Sequence, residues 1–140
     1  MSFGWSVGNF IAISGLAVRV YIAYKDAPDD YRYISKDIAA LQALIDRVAQ
    51  HFRDTTIISS DDHQYGQRVL ESCQTVLEDL DSFIEKYKRL AAINKRLVLG
   101  RVKLGNQHIT ALQSRLISET VLLNGFVRRS VRLSLQLSIL

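Results

Sequence analysis

The sequence predicts an all-α protein folded as an antiparallel four-helix bundle. Three observations carry this expectation. Apolar residues recur at alternating three- and four-residue spacing through most of the chain. A single proline and seven glycines leave long stretches free of helix breakers. Nothing before residue 133 shows the period-two alternation of a strand. A chain of 140 residues, 48% of them hydrophobic, has the size and composition of one domain with a packed core.

The first helix is placed near residues 6–25. The stretch from Met1 to Val18 has no charged side chain, and Arg19 is the first charge. Its length approaches that of a bilayer span. Gly4, Gly8, Gly15 and the polar Ser6, Asn9 and Ser14 weaken a permanent span. Gly4 and Gly8 match the small-residue pattern of membrane helix dimers, which is frequent by chance. A secretory leader is not expected, since there is no basic n-region and no clear cleavage site. The run continues helically through Leu16, Val20, Tyr21 and Tyr24 and is apolar nearly all round, as in a helix buried among others.

Pro28, followed by Asp29 and Asp30, ends that helix and opens a second near 30–54. Tyr31, Ile34, Ile38, Leu41, Ile45, Val48 and Phe52 form an unbroken seam along it. The polar stretch from Thr55 to Asp62 connects to a third helix near 61–92, with Ser59, Ser60, Asp61 and Asp62 as candidate caps. Its seam is Val69, Cys73, Val76, Leu80, Phe83, Tyr87 and Leu90. A second row, Leu70, Leu77, Ile84 and Ala91, widens it to face two neighbours. A fourth helix near 106–132 carries Ile109, Leu112, Leu116, Thr120, Leu123 and Val127, flanked by Ile117, Val121, Leu122 and Phe126. In the tail, 133–140, leucines alternate with serine and glutamine, which fits a frayed helix end, an edge strand or the start of further chain. Helices of about 18 to 30 residues span roughly 27 to 45 Å.

Motifs for catalysis or metal binding are absent. There is no phosphate-binding glycine loop, no HExxH and no CxxC, and His51, His63 and His108 lack ligand neighbours at helical spacing. No enzyme activity, cofactor or metal is expected. Glu78, Asp79, Asp81 and Glu85 lie mostly off the apolar seam and read as a solvated acidic face. The single Cys73, on a seam, reads as a small buried hydrophobe and suits a reducing compartment.

Charge is segregated along the chain. Met1 to Glu85 holds seven basic and thirteen acidic residues, a balance of −6. Lys86 to Leu140 holds eleven basic residues and one acid, Glu119, a balance of +10. The basic connector, 93–105, lies in the densest part of that half and has room for an extra short helix. Lys86, Lys88, Arg89, Lys95, Arg96, Arg101 and Lys103 interleave with Leu90, Ile93, Leu97, Val98, Leu99, Val102 and Leu104, and Gly100 and Gly105 make the segment bendable. Such a segment can lie on an anionic membrane or contact an acidic partner. It can equally be a solvated loop against the acidic helices. Nucleic acid is the weakest reading, because no aromatic side chain lies between Arg89 and Gln107 to stack on bases.

The opening MSFGWSVGNFIAISGLAVRVYIAYKDAPDDYRYISKDIAAL resembles the fungal N-terminal domains that precede the NTPase cores of STAND (NLR-like) receptors, relatives of HeLo-like cell-death domains. The resemblance continues through LESCQTVLEDLDSFIEKYKRL and ITALQSRLISETVLLNGFV, to about Val127. It implies an effector or signalling module that is cytoplasmic at rest and recruited conditionally to a membrane. It further implies homo-oligomerisation on activation, a partner NTPase core, and an apolar N-terminal segment freed to attack the membrane. The positions that carry over are Phe3, Trp5, Val7, Phe10, Ile11 and Ile13. The chain lacks an NTPase core, and its connector lacks a tryptophan found in some relatives. A non-lytic module that docks on a receptor core or on its own copies is the alternative.

Overall fold

In the computed structural model the backbone is described for residues 7–27, 29–54, 60–93 and 95–139, and side chains for 10–27, 31–50, 64–89, 92, 108–129 and 132. The helices are α1 (Val7–Lys25), α2 (Asp29–Arg32), α3 (Ile34–Asp54), α4 (Ser60–Ile93) and α5 (Lys95–Ile139). The expected fold class holds. Four long helices form a bundle, with the one-turn α2 linking α1 to α3.

Two helix boundaries differ from expectation. The seam from Tyr31 to Val48 is buried throughout, yet the helix is interrupted at Tyr33. There Ser35 donates its hydroxyl to the Arg32 carbonyl at 2.7 Å, and the Arg32 guanidinium reaches the Ala27 carbonyl at 3.4 Å. The Ser35 hydroxyl thus satisfies, at the break, a carbonyl that helix continuation would have used, and Arg32 ties α2 back to the end of α1. The larger difference is α5, which starts at Lys95 and runs to Ile139. The connector is therefore helical, and so is most of the alternating tail. Its 45 residues span about 67 Å, well beyond the length expected. Gly100 and Gly105 weaken a helix without forbidding it, and the leucines and basic residues around them are good helix formers.

Cross-helix contacts set the direction of each helix. Tyr65 meets Phe126, Asp79 meets Arg115, and Phe83 meets His108, so α4 and α5 run antiparallel. A short link joins α1 to α3, and Ser14 meets Asp46, so these two are antiparallel as well. Tyr24, near the end of α1, bonds Leu80, and Tyr31 meets Phe83 and Tyr87, so α1 runs parallel to α4. The helices pack in the ring α1–α3–α5–α4, with α1 and α5, and α3 and α4, on the diagonals. The molecule is two antiparallel hairpins laid side by side.

The core contains most of the described part of the predicted seams; Phe83 and Tyr87 are half-buried against it, and the side chains of Phe52, Leu90 and Ala91 lie outside the described residues. Ile34, Ile38, Leu41, Ile45 and Val48 of α3 are buried with Val69, Leu70, Cys73, Val76, Leu77, Leu80 and Ile84 of α4. Ile109, Leu112, Leu116, Leu123, Phe126 and Val127 come from α5. Thr120 interrupts the α5 seam at small cost, because its hydroxyl returns to the Leu116 carbonyl at 2.8 Å. Ile117, Val121 and Leu122, expected to flank the seam, are solvent-exposed.

Two helical glycines separate propensity from packing. A Cβ at Gly66 would sit 2.6 Å from Cζ of the buried Phe126 ring, whereas one at Gly15 would meet nothing within 4 Å. Gly15→Ala is expected to stabilise the fold by about 0.5–1 kcal/mol, through reduced chain entropy in the unfolded state and better helix propensity. Gly66→Ala gains the same propensity but displaces the ring, which costs roughly 1–3 kcal/mol. Urea titrations should therefore show opposite shifts in midpoint for the two variants.

Candidate functional site

The candidate site begins with α1. It sits at a corner of the ring, so one face meets α3 and α4 while the other meets solvent. Phe10, Ile13, Ala17, Val20 and Tyr24 are buried. Ile11, Val18 and Ile22 are exposed, Ile11 by 60%. This corrects the expectation of a helix buried all round. A corner helix has only two close neighbours, and they cannot enclose its whole circumference.

Of the six N-terminal candidates, Phe10 and Ile13 face the core and Ile11 faces out. Val7 opens α1, and its side chain lies outside the described residues, as do Phe3 and Trp5 altogether. Three polar contacts also tie α1 down. Ser14 donates to Asp46 at 2.8 Å, Arg19 pairs with Asp81 at 3.1 Å, and the Tyr24 hydroxyl donates to the Leu80 carbonyl at 2.7 Å. The first two are exposed, and such surface pairs contribute little. The buried Tyr24 bond is the firm one. Burial, with Asp81 nearby, pushes the Tyr24 phenol far above its ordinary range, so it stays a proton donor at any physiological pH. Among the described residues, no helix is long and apolar enough to cross a membrane.

The basic candidates gather at one end. Lys86, Lys88 and Arg89 are exposed on the last turns of α4. Lys95, Arg96, Arg101 and Lys103 lie on the first turns of α5, their side chains outside the described residues. All seven positions thus fall within the last turns of α4 and the first turns of α5. Because α1 runs parallel to α4, α1 begins at the opposite end of the bundle. Apolar and basic candidates are thus separated by most of the length of α4. Arg128 and Arg129, exposed late on α5, stand instead at the end where α1 begins, together with the exposed Arg132. In sequence they fall within the basic half and no motif sets them apart. Only the antiparallel pairing of α4 with α5 shows which end they occupy.

A second polar feature sits mid-bundle. Glu119, the sole acid of the basic half, has Oε2 buried with no hydrogen-bond partner among the described residues. Burial raises its pKa above 4.5, and Arg115 opposes this in part. Cys73 is buried beside it. Burial first, then the Glu119 charge, pushes the thiol up to about 12. The thiol is therefore protonated and unreactive at neutral pH, as its place on the seam suggested.

A carboxyl whose pKa is raised by folding binds protons more tightly in the native state than in the unfolded chain. Stability from this group is intact below about pH 4.5 and falls as pH rises through the raised value. Glu119→Gln is accordingly expected to stabilise the domain slightly near pH 7, by no more than about 0.5 kcal/mol, because the side chain is only partly buried and solvent screens the charge that is removed. The gain should shrink below the ordinary carboxylate range. Paired urea titrations of both proteins at neutral and acidic pH measure the difference; a gain that grows on acidification would contradict it.

Fold and surface together define the class: a four-helix, all-α domain whose first helix sits at a corner of the bundle and carries apolar side chains on both its buried and its exposed face. None of the family models, curated proteins or solved structures compared with the chain matches it.

Proposed function

We propose that this domain is the N-terminal effector or signalling module of a fungal NLR-like receptor, of HeLo-like type. It acts in regulated cell death or incompatibility by oligomerising and by engaging a membrane through α1. It needs no cofactor and catalyses no reaction; its partners are its own copies, an NTPase receptor core and an anionic membrane surface. At rest it is cytoplasmic. One observation carries the reading: α1 presents apolar side chains on both its docked and its solvent face. A helix that only filled a bundle corner would not need Ile11, Val18 and Ile22 outside.

Magnitudes decide how such a helix could act. Phe10, Ile13, Val20 and Tyr24 each contribute about 1.5–3 kcal/mol by burial, so undocking α1 forfeits roughly 6–12 kcal/mol. That is comparable to the whole stability of an ordinary domain, about 5–15 kcal/mol. Release therefore does not occur spontaneously. It requires a compensating surface, lipid or another copy, onto which the apolar face transfers.

The burial pattern supplies a clean test. Ile11→Glu places a charge on the outer face of α1 without touching the core. Leakage of anionic vesicles by an enforced oligomer should be abolished by Ile11→Glu while the circular dichroism spectrum and unfolding midpoint stay unchanged. Undiminished leakage by that variant, or none by the parent oligomer, would sink the proposal.

The non-lytic alternative is favoured by a separate observation, the exposed Ile117, Val121 and Leu122 on α5. A module docking through that face would lose partner binding on Val121→Glu, read by light scattering, while Ile11→Glu left binding intact.

A further inference from the structure

We infer that α1 of one copy docks on the outer face of α5 of the next, so that the domain assembles with itself head to tail. This names the surfaces of the proposed self-association, and it rests on that reading only in taking a second copy as the partner.

The exposed apolar side chains lie in two places. Among the described residues, the exposed large aliphatics are Ile11, Val18 and Ile22 on α1 and Ile117, Val121 and Leu122 on α5. The first three are spaced by seven and four residues, so they line one stripe of α1. Ile117 and Val121 are four apart on α5, with Leu122 beside Val121. Because α1 and α5 stand on a diagonal of the ring, the two faces point in opposite directions. A flat bilayer reaches one of them at a time, whereas two neighbouring copies cover both.

The faces also match in height. Arg19, next to Val18, reaches Asp81 of α4, and Arg115, two residues before Ile117, reaches Asp79 of α4. Val18 and Ile117 therefore stand within about a turn of each other along the bundle. Helices α1 and α5 run antiparallel. From Val18 back to Ile11 is a rise of about 10 Å, and from Ile117 on to Leu122 about 7 Å in the same direction. A second copy set alongside without axial shift thus brings Ile11 to Val121 and Leu122, and Val18 to Ile117. Gly15 falls between Ile11 and Val18 on the α1 stripe, and nothing stands within 4 Å of where its Cβ would be. That leaves a notch for Val121, which is 64% exposed.

Charge agrees with this partner. Helix α1 carries no charged residue before Arg19, and between Leu116 and Val127 the one charged residue of α5 is Glu119, whose Oε2 is buried. At the rims, Arg19 and Arg115 are each paired with an aspartate of their own molecule. Like copies therefore meet without repulsion. Since the contact joins two different patches, it is heterologous, and each copy keeps a face for a further neighbour. Three side chains a side fall well short of the roughly 800 Å² per partner of a stable complex. The contact is weak between free chains and takes hold where copies are already held close, at effective concentrations in the millimolar range.

Sedimentation velocity of the full chain, without lipid and up to millimolar concentration, tests this with Ile11→Glu and Val121→Glu as the two face-blocked variants. The parent is expected to grow beyond a dimer as concentration rises. Each variant alone should associate at least about tenfold more weakly, because the contact would bury an unpaired charge. An equimolar mixture of the two should associate again and stop at the dimer, since the intact α1 face of one meets the intact α5 face of the other. Ile22→Glu and Ile117→Glu repeat the comparison on the same two faces, and circular dichroism checks that every variant is folded.

Three results would overturn this: a parent that stays monomeric throughout, a face-blocked variant that self-associates like the parent, or a mixture no larger than its components. A monomeric parent that partitions onto phosphatidylserine vesicles, and loses this with Ile11→Glu, would assign the α1 face to lipid instead. Failure here leaves the leakage test of an enforced oligomer standing, and a failed leakage test leaves the mixing result standing.

Discussion

Ile13→Asp is expected to cost about 3–5 kcal/mol, the scale of a buried and uncompensated charge. Ile13 is 2% exposed and belongs to the single core cluster with Ala17 and Val20. No cation among the core residues could pair with the new carboxylate. Against a total of about 5–15 kcal/mol, such a loss undocks α1 or unfolds the domain. The penalty should ease at acidic pH, because the buried carboxyl escapes it by taking up a proton. Two residues earlier, Ile11→Glu should change stability by no more than about 0.5 kcal/mol, as surface substitutions usually do. Chemical denaturation of both variants at two pH values reads the contrast. Equal losses would mean that α1 does not rest against the bundle by the face described.

The second large effect is expected at Tyr31. Its side chain is 1% exposed and packs edge-on to Phe83 at 5.4 Å and to Tyr87 at 5.0 Å between ring centroids. Helix α2 is one turn long and cannot persist on local hydrogen bonds. Tyr31 is its anchor. Removing a buried aromatic side chain costs about 3–5 kcal/mol, and two edge-to-face contacts go with it. Tyr31→Ala should therefore lower the urea midpoint sharply and speed amide exchange through α2 and the first turn of α3. Tyr31→Phe keeps both ring contacts and should lose far less. A small effect of Tyr31→Ala would show that the α1–α3 link is held by other means.

The legible part of the fold was the part repeated in sequence. The Ile34–Val48 seam and the double row on α4 repeat every three or four residues, so their burial follows from helix geometry alone. Ends and faces were less legible. At the break at Tyr33 the Ser35 side chain closes locally on the Arg32 carbonyl, and no periodicity reports it. The helical state of the segment around Gly100 went against its glycines. A two-fold leucine alternation at 133–139 proved compatible with helix, because such a short pattern does not discriminate. For the candidate site, the residue types were visible and their arrangement was not. Phe10, Ile11 and Ile13 looked equivalent in an uncharged run, and burial separated them.

By itself the sequence determined the class of fold, three seams, the buried thiol and the partition of charge. These are local or additive properties, set by residue type and spacing. Only the tertiary structure decided the ring order α1–α3–α5–α4, and with it which neighbours cover α1 and which end of the bundle holds the cations. Both wide-faced α4 and uniformly apolar α1 could have met several partners with similar seams. The choice rests on contacts between residues distant in the chain, such as Tyr24 with Leu80 and Gly66 with Phe126. Periodicity within one helix carries no record of such pairings, which arise when particular side chains fit together in the packed core.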